Sequence, residues 1–336
     1  MQATVIQVDQ VGGPEVLKWA QQTVGEPAAG EVLIRQHASG VNFLDVYHRT
    51  GLYPLPTPFT LGMEGAGVVE AVGPPTSMGP ACHLAVGDRV AYACHPPGSY
   101  ATARVMPWKG LVKLPDAIDF EQAAGMMLKG LTVQYLLRKT QPQGGLQPGD
   151  FVLFHAGAGG VGLIACQWAR AMGLRLIATA GSDEKCALAV AHGAAHAINY
   201  QREDFVARVK ELTYGHMVKV VYDSIGRDTW DRSLDCLRPL GLMVSFGNAS
   251  GPVPPINLAT LAAKGSLFVT RPTLFTHLAD RESTQAMATD LFDMVTSGAV
   301  KIHVGQRYAL KDAAQAHRDL ESRATTGASV LLCSES

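Results

Sequence analysis

Two glycine-rich stretches of this 336-residue sequence contain candidate functional residues. "FHAGAGGVG" contains G-x-G-x-x-G at Gly157, Gly159 and Gly162, a spacing that lets a pyrophosphate approach the N–H groups at a helix N-terminus. "LGMEGAG", at 61–67, places Glu64 among small residues. A carboxylate there could be a metal ligand, a catalytic acid or a structural group that needs a cationic or hydrogen-bonding partner.

Cysteine and histidine are the ligands expected of a zinc site, and their arrangement here does not favour one. "ACH" occurs twice, at Cys82-His83 and Cys94-His95, but adjacent residues on a strand point to opposite faces. His155 ends a predicted strand, where we expect a packed, hydrogen-bonded histidine rather than a base. We therefore predict a protein without a metal.

The secondary structure predicted around these residues is of two kinds. The first ~120 residues read as short strands separated by Gly- and Pro-rich turns, and a helix follows with Asp119 placed to cap its start. From Gly149, short apolar runs alternate with helical patterns, which predicts a doubly wound parallel sheet. We expect three segments, 1–125, 126–270 and 271–336, with the last returning to the first domain.

Composition restricts the class of protein. Hydrophobic residues make up 47% and charged residues 17%, which is typical of a soluble globular chain, and the formal net charge is −1. We expect neither a nucleic-acid partner nor a membrane surface. The N-terminal segment has no basic stretch typical of a signal peptide, and six scattered cysteines without a CxxC motif indicate reduced thiols. A cytoplasmic location is expected.

The end of the second parallel strand should distinguish NAD from NADP. An acid that binds the ribose 2′-OH is expected there, but "LIATAGSDEK" places Thr179, Ala180 and Gly181 in that region. Ser182 is a candidate N-cap, with the acids that follow it in the first helical turn. Lys185 could bind a 2′-phosphate, although it could equally be a solvated helix lysine. Tyr200, after the third strand, could lie beside it, and we predict NADP.

With the glycine motif in place, the chain resembles the medium-chain dehydrogenase/reductase superfamily, and within it the zinc-independent NADPH:quinone oxidoreductases related to zeta-crystallin. The resemblance covers nearly the whole chain. Its segments are "GGPEVL" (12–17), "GVNFLDVYHRTGLYP" (40–54), "LGMEGAG" (61–67), "GDRVAY" (87–92), "KGLTVQYLLRKT" (129–140), "GAGGVGLIACQWA" (157–169), "VVYDSIGRDTWDRSLDCL" (220–237), "LMVSFGNASG" (242–251), "GSLFVTRP" (265–272) and "ESRATTG" (321–327).

The resemblance implies an α/β protein in which a GroES-like, mostly-β catalytic domain accompanies a Rossmann coenzyme domain, with the active site in the cleft between them. Zinc-dependent relatives carry Cys and His where this chain has Asn42 and Met63, which agrees with a metal-free protein. A homodimer formed through the strand "GSLFVT" is implied. The loops 73–86 and 141–150 look longer than the family's usual ones.

The resemblance also assigns site residues. Those implied around the nicotinamide and the quinone are Asn42, Asp45, Tyr47, Tyr53, Thr132 and Tyr135. Those implied along the rest of NADPH are Gly157, Gly159, Gly160, Val161, Gly162, Gly181, Ser182, Lys185, Tyr200, Ser224, Phe246, Gly247, Asn248 and Arg323.

We hypothesise that Asn42, Tyr47 and Tyr53 position the acceptor. Asp45 either fixes the hydrogen bonds of the site or caps the helix "FLDVYHRTG". Because no metal is expected beside it, Glu64 is expected to form an ion pair with Arg323 within ~4 Å.

The predicted activity is metal-free reduction of a quinone by NADPH. Two alternatives stay open. One is reduction of the C=C bond of an alkenal or enone, and the other is an NADPH-binding RNA-binding or structural protein.

Overall fold

A computed structural model describes residues 1–75 and 81–333. Its strands are β1 (Gln2–Val8), β2 (Leu17–Thr23), β3 (Glu31–Val41), β4 (Phe59–Thr60), β5 (Glu64–Val72), β6 (Arg89–Ala93), β7 (Ala103–Pro107), β8 (Val112–Lys113), β9 (Phe151–Phe154), β10 (Arg175–Ala180), β11 (His196–Asn199), β12 (Val218–Asp223), β13 (Leu237–Ser245), β14 (Phe268–Thr270), β15 (Val304–Ala309) and β16 (Ala328–Leu332). Its α-helices are α1 (Phe43–Thr50), α2 (Phe120–Arg138), α3 (Gly160–Ala171), α4 (Asp183–Ala191), α5 (Phe205–Leu212), α6 (Trp230–Asp235), α7 (Ala259–Ala263), α8 (Leu274–His277), α9 (Arg281–Thr296) and α10 (Ala313–Glu321).

The chain divides into two units. Unit 1 contains residues 1–129, 278–292 and 302–336, and unit 2 contains residues 130–277 and 293–301. The first division falls inside α2, four residues after the predicted start of the coenzyme domain at 126. The second falls at 277/278, whereas the predicted boundary was at 270/271.

Unit 1 is mostly β. One sheet has the strand order β2-β1-β4, and a seven-stranded sheet has the order β15-β16-β3-β5-β6-β8, with β7 paired to β3. Its pairings are antiparallel apart from β15 with β16. Apolar side chains of the strands, of α10 and of the connecting segments, among them Ile6, Leu61 and Leu331, form a buried core. The short helix α1, which carries several of the predicted site residues, follows directly after β3.

Unit 2 contains a six-stranded sheet in the order β11-β10-β9-β12-β13-β14, and every pairing is parallel. In this doubly wound arrangement the strand order reverses between β9 and β12, where ligands bind at the carboxyl ends of the strands. The inner strands β9 and β12 are almost wholly buried, as is typical of a parallel sheet with helices on both faces. The doubly wound parallel sheet predicted from the sequence is therefore confirmed.

Four strands were not predicted from the sequence: β2, β4, β8 and β15. Each lies at the end of the strand order of its sheet. β4 and β8 have only two residues each, and the burial of β2 and β15 shows no continuous apolar face. Edge strands with solvated side chains give a weak period-two signal. Of the two loops predicted to be long, 141–150 is a succession of turns, and 73–86 includes residues 76–80, which lie outside the described part of the chain.

Candidate active site

The glycine turn links β9 to α3 at the point where the strand order of unit 2 reverses. Gly159 is the N-cap of α3, and Gly160, Val161 and Gly162 form its first turn. The N–H groups of a first helical turn have no intrahelical acceptor, and the helix dipole makes this end positive. A Cβ at Gly162 would overlap the carbonyl oxygen of Ala156, so the third glycine is needed for close packing. The turn therefore fits the diphosphate of a dinucleotide.

The residues predicted near a 2′-phosphate come together at the end of β10. Ser182 is the N-cap of α4, and its Oγ accepts a hydrogen bond from the backbone N–H of Lys185 at 3.3 Å. A Cβ built at Gly181 would lie 2.8 Å from the Tyr200 hydroxyl, which shows how closely that ring approaches the backbone. The loops after β10 and β11 thus form one polar corner.

An acidic residue, Asp183, also lies in this corner, but its carboxylate is hydrogen-bonded and paired with a cation. Asp183, in the first turn of α4, accepts hydrogen bonds from Asn199 Nδ2 at 2.6 Å and from Arg202 NH1 at 2.5 Å. Because Arg202 supplies a positive charge next to it, Asp183 opposes a bound phosphate less than an isolated carboxylate would.

Further predicted residues follow β12 and β13. Ser224 comes directly after β12, and Phe246, Gly247 and Asn248 come directly after β13. A Cβ at Gly247 would overlap the carbonyl oxygen of Ser224, so the two loops are in contact. Both lie at the carboxyl edge of the sheet, as a dinucleotide site requires.

A buried polar cluster lies under the same edge. His155 Nδ1 lies 2.9 Å from Thr179 Oγ1, its Nε2 lies 2.9 Å from Ser233 Oγ, and Ser233 donates to Asp223 at 2.9 Å. Burial lowers the pKa of His155, which opposes protonation. The prediction that His155 is a packed, hydrogen-bonded residue is confirmed.

Thr132 and Tyr135 lie on α2 in unit 2, and both side chains are buried. The Tyr135 ring stacks on His277 with 4.7 Å between ring centroids. Burial raises the pKa of the Tyr135 hydroxyl, with Arg271 acting in the opposite direction. This phenol therefore stays protonated at neutral pH and can act as a hydrogen-bond donor.

In unit 1, the predicted acceptor residues lie on and around α1. Asn42 is the N-cap of this helix and forms a capping box with Asp45, whose Oδ2 accepts from the Asn42 N–H at 2.8 Å. Of the two roles left open for Asp45, the structure therefore shows the cap. Asn42 also donates from Nδ2 to Glu64 Oε2 at 2.9 Å.

Asp45 belongs to a buried network that the sequence did not indicate. The Tyr100 hydroxyl donates to Asp45 Oδ2 at 3.2 Å and lies 3.1 Å from His317 Nε2, while His317 Nδ1 lies 3.1 Å from Arg49 NH1. Arg49 also forms an ion pair with Glu321 at 2.8 Å. Because a guanidinium only donates, His317 accepts at Nδ1 and donates from Nε2 to Tyr100.

The network has electrostatic consequences. Burial raises the pKa of Asp45 to about 7, although the hydrogen bond from the Asn42 N–H and the charge of Lys129 act in the opposite direction. Burial, followed by the charge of Arg49, lowers the pKa of His317 to about 3. A neutral histidine thus connects the carboxyl group to the guanidinium.

Aromatic rings surround the C-terminal half of α1. The rings of Tyr47 and Tyr53 meet edge to face with centroids 5.1 Å apart, and the Tyr53 N–H donates to the Tyr47 carbonyl at 3.0 Å. His48 is buried beside Tyr53, and burial lowers its pKa to about 4. The predicted residues Asn42, Asp45, Tyr47 and Tyr53 thus lie on one short segment.

Glu64 is fully buried at the start of β5, and its carboxylate is satisfied by three donors. Leu128 N–H donates to Oε1 at 2.7 Å, while Lys129 Nζ and Asn42 Nδ2 donate to Oε2 at 2.8 and 2.9 Å. A Cβ at Gly40 would overlap both this carboxylate and the Ala124 carbonyl oxygen. Glu64 therefore ties β3, β5 and α2 together.

The predicted partner of Glu64 was wrong. Arg323 is an exposed residue just after α10, whereas the cation that meets the carboxylate is Lys129 on α2. A signal for Lys129 was present, since it is the one charged residue between Glu121 and Arg138 in an otherwise apolar helix. A charge in such a helix is rarely buried without a partner.

Within residues 1–75 and 81–333, no three His, Cys, Asp or Glu side chains are grouped so as to hold a metal ion. No helix in the same ranges has the length and apolar character needed to cross a membrane.

Comparisons with known proteins agree with this architecture. A family model described as alcohol dehydrogenase GroES-like domain matches residues 28–116, and one described as zinc-binding dehydrogenase matches residues 160–291. The chain is 54% identical over 328 residues to a quinone oxidoreductase of Pseudomonas aeruginosa, which covers 97% of this chain and 98% of the relative. The chain belongs to the quinone oxidoreductase family. The predicted resemblance and the GroES-like fold are thereby confirmed.

Two other members of this wider group inform the function. The solved structure of Escherichia coli quinone oxidoreductase complexed with NADPH has a TM-score of 0.94 and 50% identity, covering 98% of this chain and 99% of that one. A 2-haloacrylate reductase of Burkholderia sp. is 42% identical over 332 residues, covering 97% of each chain. Proteins similar to this chain are thus named for two kinds of acceptor, a quinone and a 2-haloacrylate.

Proposed function

We propose that this protein is an NADPH-dependent quinone reductase that works without a metal. The observation that carries the proposal is that a chain with an intact dinucleotide turn is 54% identical, over 97% of its length, to a quinone oxidoreductase. A quinone suits a metal-free protein, because its carbonyl groups are already electrophilic and need no Lewis acid.

When bound, NADPH supplies the hydride, and the residues of unit 2 bind and orient it. The N–H groups of Gly160, Val161 and Gly162 would hold the diphosphate, with Gly157 and Gly159 forming the turn. The corner residues Gly181, Ser182, Lys185 and Tyr200 would bind the 2′-phosphate. Ser224, Phe246, Gly247 and Asn248, in the loops after β12 and β13, would contact the remainder of the cofactor. The geometry of the turn and of the Ser182 cap supports these assignments.

The acceptor is bound by aromatic and polar groups of the first unit. We assign contact with the quinone ring to Tyr47 and Tyr53, whose rings already meet edge to face. Asn42 and Asp45 act by fixing the start of α1, as their capping box indicates. Thr132 and Tyr135 are assigned to the nicotinamide, and Arg323 to the cofactor's phosphates.

The same proposal includes a cytoplasmic homodimer that does not bind nucleic acid. Strand β14 is the last strand of its sheet, and its side chains Phe268 and Val269 are 48% and 37% exposed. An exposed apolar edge strand favours pairing with a second copy. Phe268→Asp, measured by sedimentation, is expected to shift the protein toward monomer, and an unchanged sedimentation coefficient would contradict the dimer.

The test of the activity is steady-state oxidation of NADPH and of NADH with 1,4-benzoquinone. We expect rapid turnover with NADPH and a much lower kcat/KM with NADH. Turnover near background together with tight NADPH binding would instead favour the binding-protein alternative, and equal use of both cofactors would contradict the assigned 2′-phosphate corner.

A second candidate function is reduction of an activated C=C bond. The 42% identity to a 2-haloacrylate reductase favours it, since that relative is named for an acceptor of this kind. Turnover of 2-chloroacrylate or an enal above that of benzoquinone would favour this alternative over quinone reduction.

A further inference from the structure

Lys129 is a buried cation whose ammonium donates one hydrogen bond within the described part of the chain. Its residue is 5% exposed, and among residues 1–75 and 81–333 the hydrogen-bond acceptor for its ammonium is Glu64 Oε2 at 2.8 Å. An ammonium carries three N–H donors. Since an unsatisfied buried donor is costly, the remaining N–H groups call for a further acceptor.

The position of this ammonium relates it to the predicted site. Lys129 Nζ and Asn42 Nδ2 donate to the same oxygen atom, Glu64 Oε2, at 2.8 and 2.9 Å. Asn42 begins α1, the helix that carries Tyr47 and leads to Tyr53. The spare donors of Lys129 thus lie beside the start of the segment assigned to the acceptor.

Stability alone is a weak reason to keep this ion pair. Taking two charges out of water costs several kcal/mol each, and a well-packed apolar pair of similar volume is often as stable or more stable. A buried cation next to reacting atoms, in contrast, acts in a medium of low dielectric constant, where it stabilises a developing negative charge strongly.

We propose that Lys129 donates a hydrogen bond to a carbonyl oxygen of the quinone and stabilises the negative charge that this oxygen gains on reduction. The inference rests on the proposed quinone reduction. The hydride from NADPH brings two electrons, so the quinone becomes a hydroquinone monoanion and the cofactor becomes NADP+. The oxyanion is held by the Lys129 ammonium until a proton from solvent completes the hydroquinone.

Two variants distinguish the effect of losing the Lys129 ammonium from the effect of losing its ion pair with Glu64. Glu64→Gln breaks the pair and keeps the ammonium, whereas Glu64→Gln/Lys129→Met removes both charges. We expect kcat with benzoquinone in the double variant to be about 100-fold below that of Glu64→Gln, as for loss of one oxyanion donor. Equal kcat values in the two variants would overturn the proposal.

Two controls keep the outcomes distinct. Lys219→Met/Asp150→Asn removes a comparable pair, joined at 2.8 Å with side chains 9% and 20% exposed, and is expected to keep kcat. NADPH fluorescence titration of each variant checks that the fold and the cofactor site survive. If the wild type itself fails to reduce quinones, the proposed function fails. If the wild type does so and Lys129 is dispensable, only this inference fails.

Discussion

The glycine turn of unit 2 and the cluster around α1 in unit 1 are built in opposite ways. The turn joins β9 to α3 within a few residues, and its contacts are made by backbone atoms. The α1 cluster is made by side chains far apart in the chain, since Glu64 bonds a residue 22 positions before it and one 65 positions after it. Local backbone geometry suits a cofactor of constant shape, whereas a charged side-chain cluster can be adapted to a particular acceptor.

The largest effect is expected from disrupting the α1 cluster, in which Glu64 binds Asn42 and Lys129. In Gly40→Ala the new Cβ would overlap the Glu64 carboxylate and the Ala124 carbonyl oxygen, neither of which can move freely. We expect a loss of about 3 kcal/mol in the free energy of unfolding, measured by urea denaturation. A loss below about 0.5 kcal/mol would mean that the cluster can rearrange and is not the rigid region described.

The second prediction concerns the turn, and two neighbouring glycines give a matched pair. A Cβ at Gly162 would overlap the Ala156 carbonyl oxygen, while at Gly159 the nearest atom would be that same oxygen at 3.3 Å. Gly162→Ala is expected to lower the free energy of unfolding by about 2 kcal/mol, and Gly159→Ala considerably less. Urea denaturation measures both, and equal losses would contradict the packing role of the third glycine.

The third prediction uses the pKa of Asp45, which burial raises to about 7. The folded state therefore binds more protons than the unfolded state above the ordinary Asp value, so Asp45 lowers the free energy of unfolding as pH rises toward 7. Between about pH 5 and pH 7 this loss amounts to about 2 kcal/mol. In Asp45→Asn it should vanish, and parallel stability curves for wild type and variant would refute a buried neutral Asp45.

The smallest expected effect lies in the polar corner after β10. Arg202 engages Asp183 there, so Arg202→Ala exposes a negative charge near the residues assigned to the 2′-phosphate. The pair is exposed, and exposed pairs contribute little, so the kcat/KM ratio of NADPH to NADH should fall only about 2- to 3-fold. A ratio that rises instead would show that Asp183 does not face the cofactor.

The same contrast explains what could be predicted from the sequence. The glycine turn, the Ser182 cap and the doubly wound sheet depend on neighbours along the chain, and all three were predicted and then found. Pairing between distant side chains leaves no local pattern. Glu64 was therefore recognised as a buried carboxylate that needs a partner, but Arg323 was named in place of Lys129.

The network of Asp45, Tyr100 and His317 was missed for the same reason. Its members lie on α1, before β7 and on α10, and the hydrogen bonds span 55 and 217 residues. In the sequence, nothing near His317 or Tyr100 indicates that the fold places them beside a buried carboxyl group. The structure therefore adds more to the sequence-based predictions around α1 than it does at the glycine turn.

Competition between two acceptors shows whether the protein reduces a quinone in preference to a C=C bond. The protein is given NADPH deuterated at the transferred position together with equal concentrations of 1,4-benzoquinone and 2-chloroacrylate, and products are analysed by mass spectrometry. We expect hydroquinone formation to equal nearly all of the NADPH consumed and the chloroacrylate to be recovered unchanged. Carbon-bound deuterium in a reduced 2-chloropropionate as the main product would contradict it.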